Sequence, residues 1–503
     1  MTWGLAAFIL IGSAWLLTTP PAGGVDEASH YVRTIGLSRG QLFGEAVDPA
    51  QPFGGLEGEQ LRRVNAEAAW FTLPGNRPIP SCHYFLDAAR AFDCPQAPAQ
   101  PEAHREISLH GSSLPGAYAV PALFSWLGTE TISALAWARV GVMITNLVMV
   151  IIVSLALGAI WRRTGPPGMS TVVMLALSVT PVVAFFSATL APSSVEIWSA
   201  AAFTAALVAF SRTRESKWLG IAGALAVFAS WTRDLGAIAV GMATLAIVVL
   251  DPGVRNWWKE KVNQRRRWLV LGVVSLGVIS ALWWQVAYKY PLRPSIGSPR
   301  QVFNDGITVL QVLRQGIGLG GWLNTPMDAT LEKLWLAGWL IAAGAVVWHI
   351  PVRARWVLTA LALLTGGVGL YLVAMMRAAG FGVQARFLLP LVAVVVIIAA
   401  TSSTSTSQGH PTAMRQIGLG IIFALIALAH GSALLIAAHR HARGLNGSPI
   451  DFSESTWTPP GGWTLSAVMA IMGCLCLAAI PWSAFFQPDK AEIRVTGEHP
   501  TLS

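Results

Sequence analysis

Asp26 and Glu27, with His30 one helical turn beyond Asp26, follow the run Pro20-Pro21-Ala22-Gly23-Gly24 that closes the first apolar segment. Carboxylates with an imidazole at that spacing can take a proton from a hydroxyl or hold a metal ion. Adjacent helical residues point about 100° apart, so Asp26 and Glu27 cannot face one small cavity equally. Asp26 is the expected base or metal ligand, with Glu27 close behind and His30 placed to orient it. The competing structural reading makes Asp26 an N-cap and Glu27 a first-turn partner of the helix dipole. On the residues alone, that structural reading leads narrowly.

The elements that must position these groups are membrane helices. Of 503 residues, 54% are hydrophobic and 12% charged, against roughly 25% charged in soluble domains. Mean hydropathy is +0.55. The net charge of +9 does not point to nucleic acid, because the basic residues collect in short loops between apolar runs, as cytoplasmic loops do. The 22 tryptophans suit the headgroup level. Met1 to Leu17 has neither a basic start nor a small-residue cleavage site, and reads as a retained first span.

A span takes about 20 apolar residues. Candidates are 2–17, 132–161, 169–190, 194–211, 218–232, 234–250, 268–288, 332–350, 356–376, 386–402, 416–438 and 464–486. The expected fold is therefore all-α and polytopic, a single membrane domain over 1–503 with about twelve transmembrane helices. Placing both termini in the cytoplasm puts Arg162-Arg163, Arg212 to Lys217, Arg255 to Arg267, Arg353 to Arg355 and Arg415 on the inner side. Residues 18–130, 289–331 and 439–463 then face outward, and 487–503 form a cytoplasmic tail. Arg233-Asp234 falls at the outer turn between two short spans, where the pair can neutralise itself. The Ser/Thr run at 402–407 reads as a linker.

Two outer segments carry helical patterns too short to span. Over 26–38, Asp26, His30 and Arg33 share one stripe and Ala28, Val32 and Ile35 another, predicting a helix on the membrane surface with its polar groups towards water or a cavity. Over 302–316, Val302, Val309, Leu310 and Leu313 oppose Asp305 and Arg314. Cys82 and Cys94 share the first outer loop and can pair if it faces an oxidising compartment, whereas Cys474 and Cys476 read as buried thiols.

Three ordered segments carry a resemblance: Pro20-Pro21 through Val25-Asp26-Glu27-Ala28-Ser29-His30-Tyr31, Gly320-Gly321-Trp322-Leu323-Asn324-Thr325-Pro326, and Gln384-Ala385-Arg386-Phe387-Leu388-Leu389-Pro390. They are similar to the proline-then-Asp-Glu-x-x-His, Phe-Gly-Trp-Leu-Asp-x-Pro and Gly-Arg-Tyr-Leu-Leu-Pro segments of a bacterial multi-pass membrane family of unknown function, grouped with the GT-C glycosyltransferase superfamily. Asn324 and Ala385 depart from that pattern. The resemblance implies a GT-C-like fold, with a long first extracytoplasmic loop carrying short juxtamembrane helices. It also implies an acidic residue after the first span acting as base or metal ligand, with a divalent metal such as Mg or Mn. The implied donor is a sugar on a polyprenyl phosphate, reaching the site from the bilayer. The acceptor is a cell-envelope glycan or glycolipid at the outer face of the plasma membrane. Fold does not fix activity.

Such a transfer needs a cation for the departing phosphate, and the resemblance moves the functional reading of Asp26 ahead. Arg386, at the outer end of its span, can fork onto two phosphate oxygens; its structural alternative is an interfacial anchor. Arg377, Arg233 and Lys289 occupy equivalent positions. Arg139 reads as paired or snorkelling, with lining of the donor groove as its alternative, and Glu196 as a helix-start charge in preference to a buried functional carboxylate. Trp322 and Asn324 are candidates for the substrate groove, with interfacial anchoring the default for Trp322. No P-loop, Rossmann fingerprint or His-x-x-x-His pattern occurs. The alternatives are a twelve-span transporter, which predicts mid-span charges and matching halves absent here, and a non-catalytic protein that binds lipid-linked glycans.

Overall fold

The computed structural model describes residues 2–52, 55–77, 102–259, 264–288, 298–320, 325–378, 382–403, 413–444, 451–452, 455 and 457–481. Cys82, Cys94, Lys289, Trp322 and Asn324 lie outside the described residues. Every apolar run picked out by hydropathy is α-helical over most of its described residues. The helices are α1 (Thr2–Thr18), α2 (Glu27–Ser38), α3 (Gly58–Glu67), α4 (Gly116–Ser125), α5 (Thr131–Thr164), α6 (Met169–Ser178), α7 (Pro181–Ser187), α8 (Pro192–Thr213), α9 (Ser216–Thr232), α10 (Gly236–Leu250), α11 (Pro252–Lys259), α12 (Gln264–Tyr288), α13 (Pro299–Gly318), α14 (Ala329–His349), α15 (Val352–Ala378), α16 (Leu389–Ser402), α17 (Ala413–Arg443) and α18 (Gly462–Ala479).

Seven described helices are long and apolar enough to cross a bilayer: α5, α8, α14 and α18 over their full lengths, and α12, α15 and α17 over most of theirs. The pair α6 and α7, bent by 52°, makes an eighth if counted as one span. The bend has a local cause, because Pro181 opens α7 and Thr180 caps it, accepting from the Val183 amide at 3.2 Å. The other four predicted stretches fall on α1, α9, α10 and α16, each 17 residues or shorter. By length and composition, the expectation of about twelve spans is therefore not met as full-length helices.

Helix α8 is the central post. Its small-residue run, including Ala200, Ala201, Ala202, Ala205, Ala206 and Ala209, is buried throughout, and such residues let helix backbones approach closely in the absence of large side chains. Helices α5, α9, α10 and α16 pack around it.

The first long loop is a folded subdomain, which helical periodicity alone did not predict. Strands β1 (Glu45–Ala46), β2 (Ala69–Leu73) and β3 (His104–Ser108) form an antiparallel sheet in the order β1-β2-β3, with Ala69 opposite Ser108 and Leu73 opposite His104. Tyr31, Val32 and Ile35 of α2, Phe71 and Leu73 of β2, and Leu135 of α5 form one apolar core beneath it. Helix α2 comes so close to the sheet that a Cβ on Gly36 would lie 2.2 Å from the Phe71 ring. This helix is therefore enclosed rather than lying on the membrane, and Arg33 does not face water. It is fully buried, donating to the Leu42 and Ser113 carbonyls at 2.9 and 3.1 Å.

The predicted 302–316 helix forms within α13, where Asp305 pairs with Arg377 and Arg314 with Glu332.

Candidate functional site

The turn after α1 is held by one buried ion pair. Arg139, from α5, donates to both carboxylate oxygens of Glu27 at 2.7 and 2.5 Å and to the carbonyls of Thr19 and Pro20 at 2.6 Å each. Glu27 also accepts from the amides of Gly24 at 3.0 Å and Leu190 at 2.8 Å. Its side chain is 0% exposed. A buried carboxylate satisfied by four donors is a structural clasp, tying the turn to α5 and to the segment before α8. The structure thus places Glu27 away from any open cavity.

Asp26, one residue earlier, points elsewhere. It occupies the N-cap position of α2 in a left-handed conformation (φ 57°), and its side chain makes no capping hydrogen bond. Aspartate is one of the few residues that adopt this geometry at modest cost. The freed carboxylate accepts from Arg386 at 2.5 Å across 360 positions of sequence, and lies 3.5 Å from His110 Nε2. Arg386 belongs to a single 3-10 turn, Ala385–Phe387, ahead of α16. Its side chain is 4% exposed, against 23% for Asp26. Arg386 Nε and Nη1 are buried without hydrogen-bond partners among the described residues.

His30 and His110 stack behind the carboxylate with ring centroids 4.2 Å apart and planes at 17°. His30 Nδ1 is bonded to Tyr118 Oη at 2.8 Å. The stack is assembled by a serine staple: Ser108 Oγ donates to the Ser29 carbonyl at 2.8 Å, and the Leu109 amide donates to Ser29 Oγ at 2.7 Å. That staple sets the end of β3 on the first turn of α2, which carries His110 over His30. Gly111 lets the loop approach β2, since a Cβ there would lie 2.3 Å from that of Ala69. His110 was not anticipated. The sequence offers no signal for it, since His110 is one of four histidines within residues 18–130 and stands in no motif.

Burial opposes charge on Asp26, yet the Arg386 guanidinium and His110 hold its carboxyl well below the usual carboxylate range. Burial, with His110 alongside, lowers the His30 imidazole well below its ordinary value. At neutral pH the site thus holds a carboxylate and a neutral His30 imidazole. Asp26, His30 and His110 each present one ligand atom, all within 4.8 Å of one another, the one such group among the described residues.

A second cation adjoins the first. Arg233, at the end of α9, donates to Ser193 Oγ at 2.8 Å. Its guanidinium carbon lies 4.5 Å from the Phe387 ring centroid, and that of Arg386 lies 5.5 Å from the same ring. Of the predicted residues, Asp26, His30, Arg386 and Arg233 therefore gather at one place. Arg377 is engaged by Asp305 instead. Glu196 is a fully buried carboxylate accepting from the Leu235 amide at 2.8 Å, not a helix-start charge.

An apolar cleft of about 600 Å³ lies between α2, α4 and α9, lined by Pro115, Leu123, Trp126, Phe228 and Trp231 among others. Pro115 precedes the helix that carries Tyr118, and Trp231 lies two residues before Arg233. A larger apolar cavity of about 610 Å³ sits between α6, α14 and α17 and reaches Ser403. It lies at the far end of α16 from Arg386, and the helix rises roughly 20 Å between them.

A family model described as "Predicted membrane protein (DUF2142)" matches residues 8–395. No curated protein and no solved structure matches the chain.

Proposed function

The chain belongs to the DUF2142 family of predicted membrane proteins, and from that premise we propose that it is a GT-C-type glycosyltransferase of the plasma membrane. It transfers a sugar from a polyprenyl-phosphate donor to an envelope glycan or glycolipid at the outer face. In this reading both termini are cytoplasmic and residues 18–130 lie outside. Helices α1, α9, α10 and α16 complete a frame of about twelve crossings together with their flanking residues.

One observation carries the reading. Arg386 is a buried cation with two nitrogens, Nε and Nη1, unpartnered among the described residues, held against a carboxylate that is itself partly exposed. Unsatisfied buried guanidinium donors are costly unless an anion takes them, and a phosphate provides the matching fork. Arg233, next to the same phenylalanine, adds a second positive charge. The apolar cleft between α4 and α9 suits the lipid tail.

In the step itself the acceptor oxygen attacks the sugar's anomeric carbon while the bond from that carbon to the phosphate oxygen breaks, with inversion. The phosphate leaves as an anion onto Arg386 and Arg233, and Asp26 takes the acceptor's proton. A phosphate on Arg386 offsets the field that holds the Asp26 carboxyl down, so donor binding raises the basicity of the group that must accept the proton. Glu27 and Arg139 position this pair without touching substrate.

The test uses membranes containing Asp26→Asn or Arg386→Lys protein and labelled sugar on a polyprenyl phosphate. Asparagine tolerates the left-handed backbone, and lysine retains charge but not the fork. Each variant should lose on the order of 10²–10⁴-fold in transfer rate at normal protein level. Full activity in both variants refutes the site.

A further inference from the structure

We propose that Asp26, His30 and His110 form a divalent-metal site of zinc-like preference. Its ligands come from two parts of the outer subdomain that meet only on folding. The site shares Asp26 with the transferase reading, but its occupancy has its own readout.

One edge of the cluster has the spacing of a ligand pair, and binding requires the His30 and His110 rings, stacked at 17°, to turn out of their stack so that both in-plane nitrogens meet one ion. His110 Nε2 and Asp26 Oδ2 are 3.5 Å apart, close to the roughly 3.4 Å between two ligands of a tetrahedral ion at about 2.1 Å. The third ligand atom lies within 4.8 Å of both and moves inward on binding, since two ligands about 2.1 Å from one ion are at most ~4.2 Å apart. His30 engages Tyr118 through Nδ1, which leaves Nε2 for an ion. Metal-bound histidines characteristically donate from their other nitrogen to such an outer partner, which fixes ring orientation. Tyr118 is in turn bonded to Ser113, whose carbonyl accepts from the buried Arg33. The ligands are thus braced from behind, and the braces come from α2, α4 and the loop after β3. Three protein ligands leave one position open, as in catalytic rather than structural zinc sites.

The donor chemistry decides the ion. Imidazole suits zinc and its neighbours, whereas magnesium demands near-octahedral oxygen ligation and keeps several waters. Two imidazoles and one carboxylate therefore do not fit the Mg expected from the resemblance. Arg386 shares Asp26 Oδ2 and weakens its donation, which makes the two histidines the principal ligands. An ion here would acidify an acceptor hydroxyl, letting a carboxylate of depressed basicity finish removing its proton.

The experiment uses the full chain in detergent, purified without a metal-affinity tag and stripped with chelator. It is then dialysed against zinc, manganese or magnesium chloride, and bound metal is measured by mass spectrometry. Wild type should retain roughly one zinc per chain and no magnesium. His110→Ala, at a partly exposed loop position, should bind zinc more weakly by more than the roughly 10–100-fold that loss of an outer partner produces. Zinc should raise the melting temperature of wild type and not of His110→Ala, whose melting in chelator controls for folding. Arg386→Lys should keep its zinc. Zinc retained by His110→Ala, magnesium preferred over zinc, or no metal on wild type overturns the proposal. Zinc bound as expected with no sugar transfer by wild type leaves the metal site standing and removes the transferase reading.

Discussion

Asp26 and Glu27 are neighbours in sequence with opposite fates, because a helix turns about 100° per residue. Glu27 is turned inward to Arg139 and two backbone amides, whereas Asp26 is released from capping by its left-handed backbone and meets Arg386. Titration follows from these surroundings. With its folded value depressed, Asp26 contributes stability that is complete above the ordinary carboxylate range, near pH 4, and is lost as pH falls through the folded value. His30, also depressed, acts in the same direction from a higher start. Below about pH 6.5 the unfolded chain takes a proton that the folded site refuses, against burial and the field of His110, Arg386 and Arg233. In chelator, the melting temperature should therefore fall between pH 7 and pH 5. His30→Gln should flatten that slope, and an unchanged slope would remove His30 as its source.

Among the elements, α2 has the most to position and the least freedom. The Glu27 clasp fixes its start, the Ser29–Ser108 staple fixes its first turn, and Gly36 allows β2 to close on its last. Removing one partner of a buried pair leaves an uncompensated charge, worth about 3–5 kcal/mol. Arg139→Met should thus lower thermal stability sharply and abolish activity through loss of fold. Gly36→Ala meets the Phe71 ring and should destabilise by about 1–3 kcal/mol through overpacking. Melting curves in detergent check both, and a Gly36→Ala protein as stable as wild type would show that α2 does not need this approach. The amphipathic stripe of α2 was legible in the sequence. Its enclosure was not, because short strands in a polar loop leave little periodic trace, and the same stripe suits a membrane surface and a buried helix equally.

For the molecule as a whole, the arrangement predicts a sidedness. Reporter fusions after Thr213 and at Pro351 should read as cytoplasmic, and a protease site inserted near Glu57 should be cut from outside intact cells. A cytoplasmic Glu57 would remove the outer-face chemistry altogether. Seven or eight described helices meet the span criterion by length; of the shorter ones, α9, α10 and α16 pack on α8, and α1 packs on α18 and α5.

What the sequence determined by itself was the class of molecule and half of the site. A chain this poor in charge has to bury its helices in lipid, and its arginines mark short loops. Asp26, His30, Arg386 and Arg233 all stood out as charged or titratable groups near the ends of apolar runs. Tertiary structure alone decided which of them meet. It joined Asp26 to Arg386, recruited His110 through a sheet pairing, and withdrew Glu27 into a clasp and Arg377 to Asp305. Contacts between positions tens to hundreds of residues apart are set by packing, and no local pattern of residue types encodes which distant partner a side chain will find.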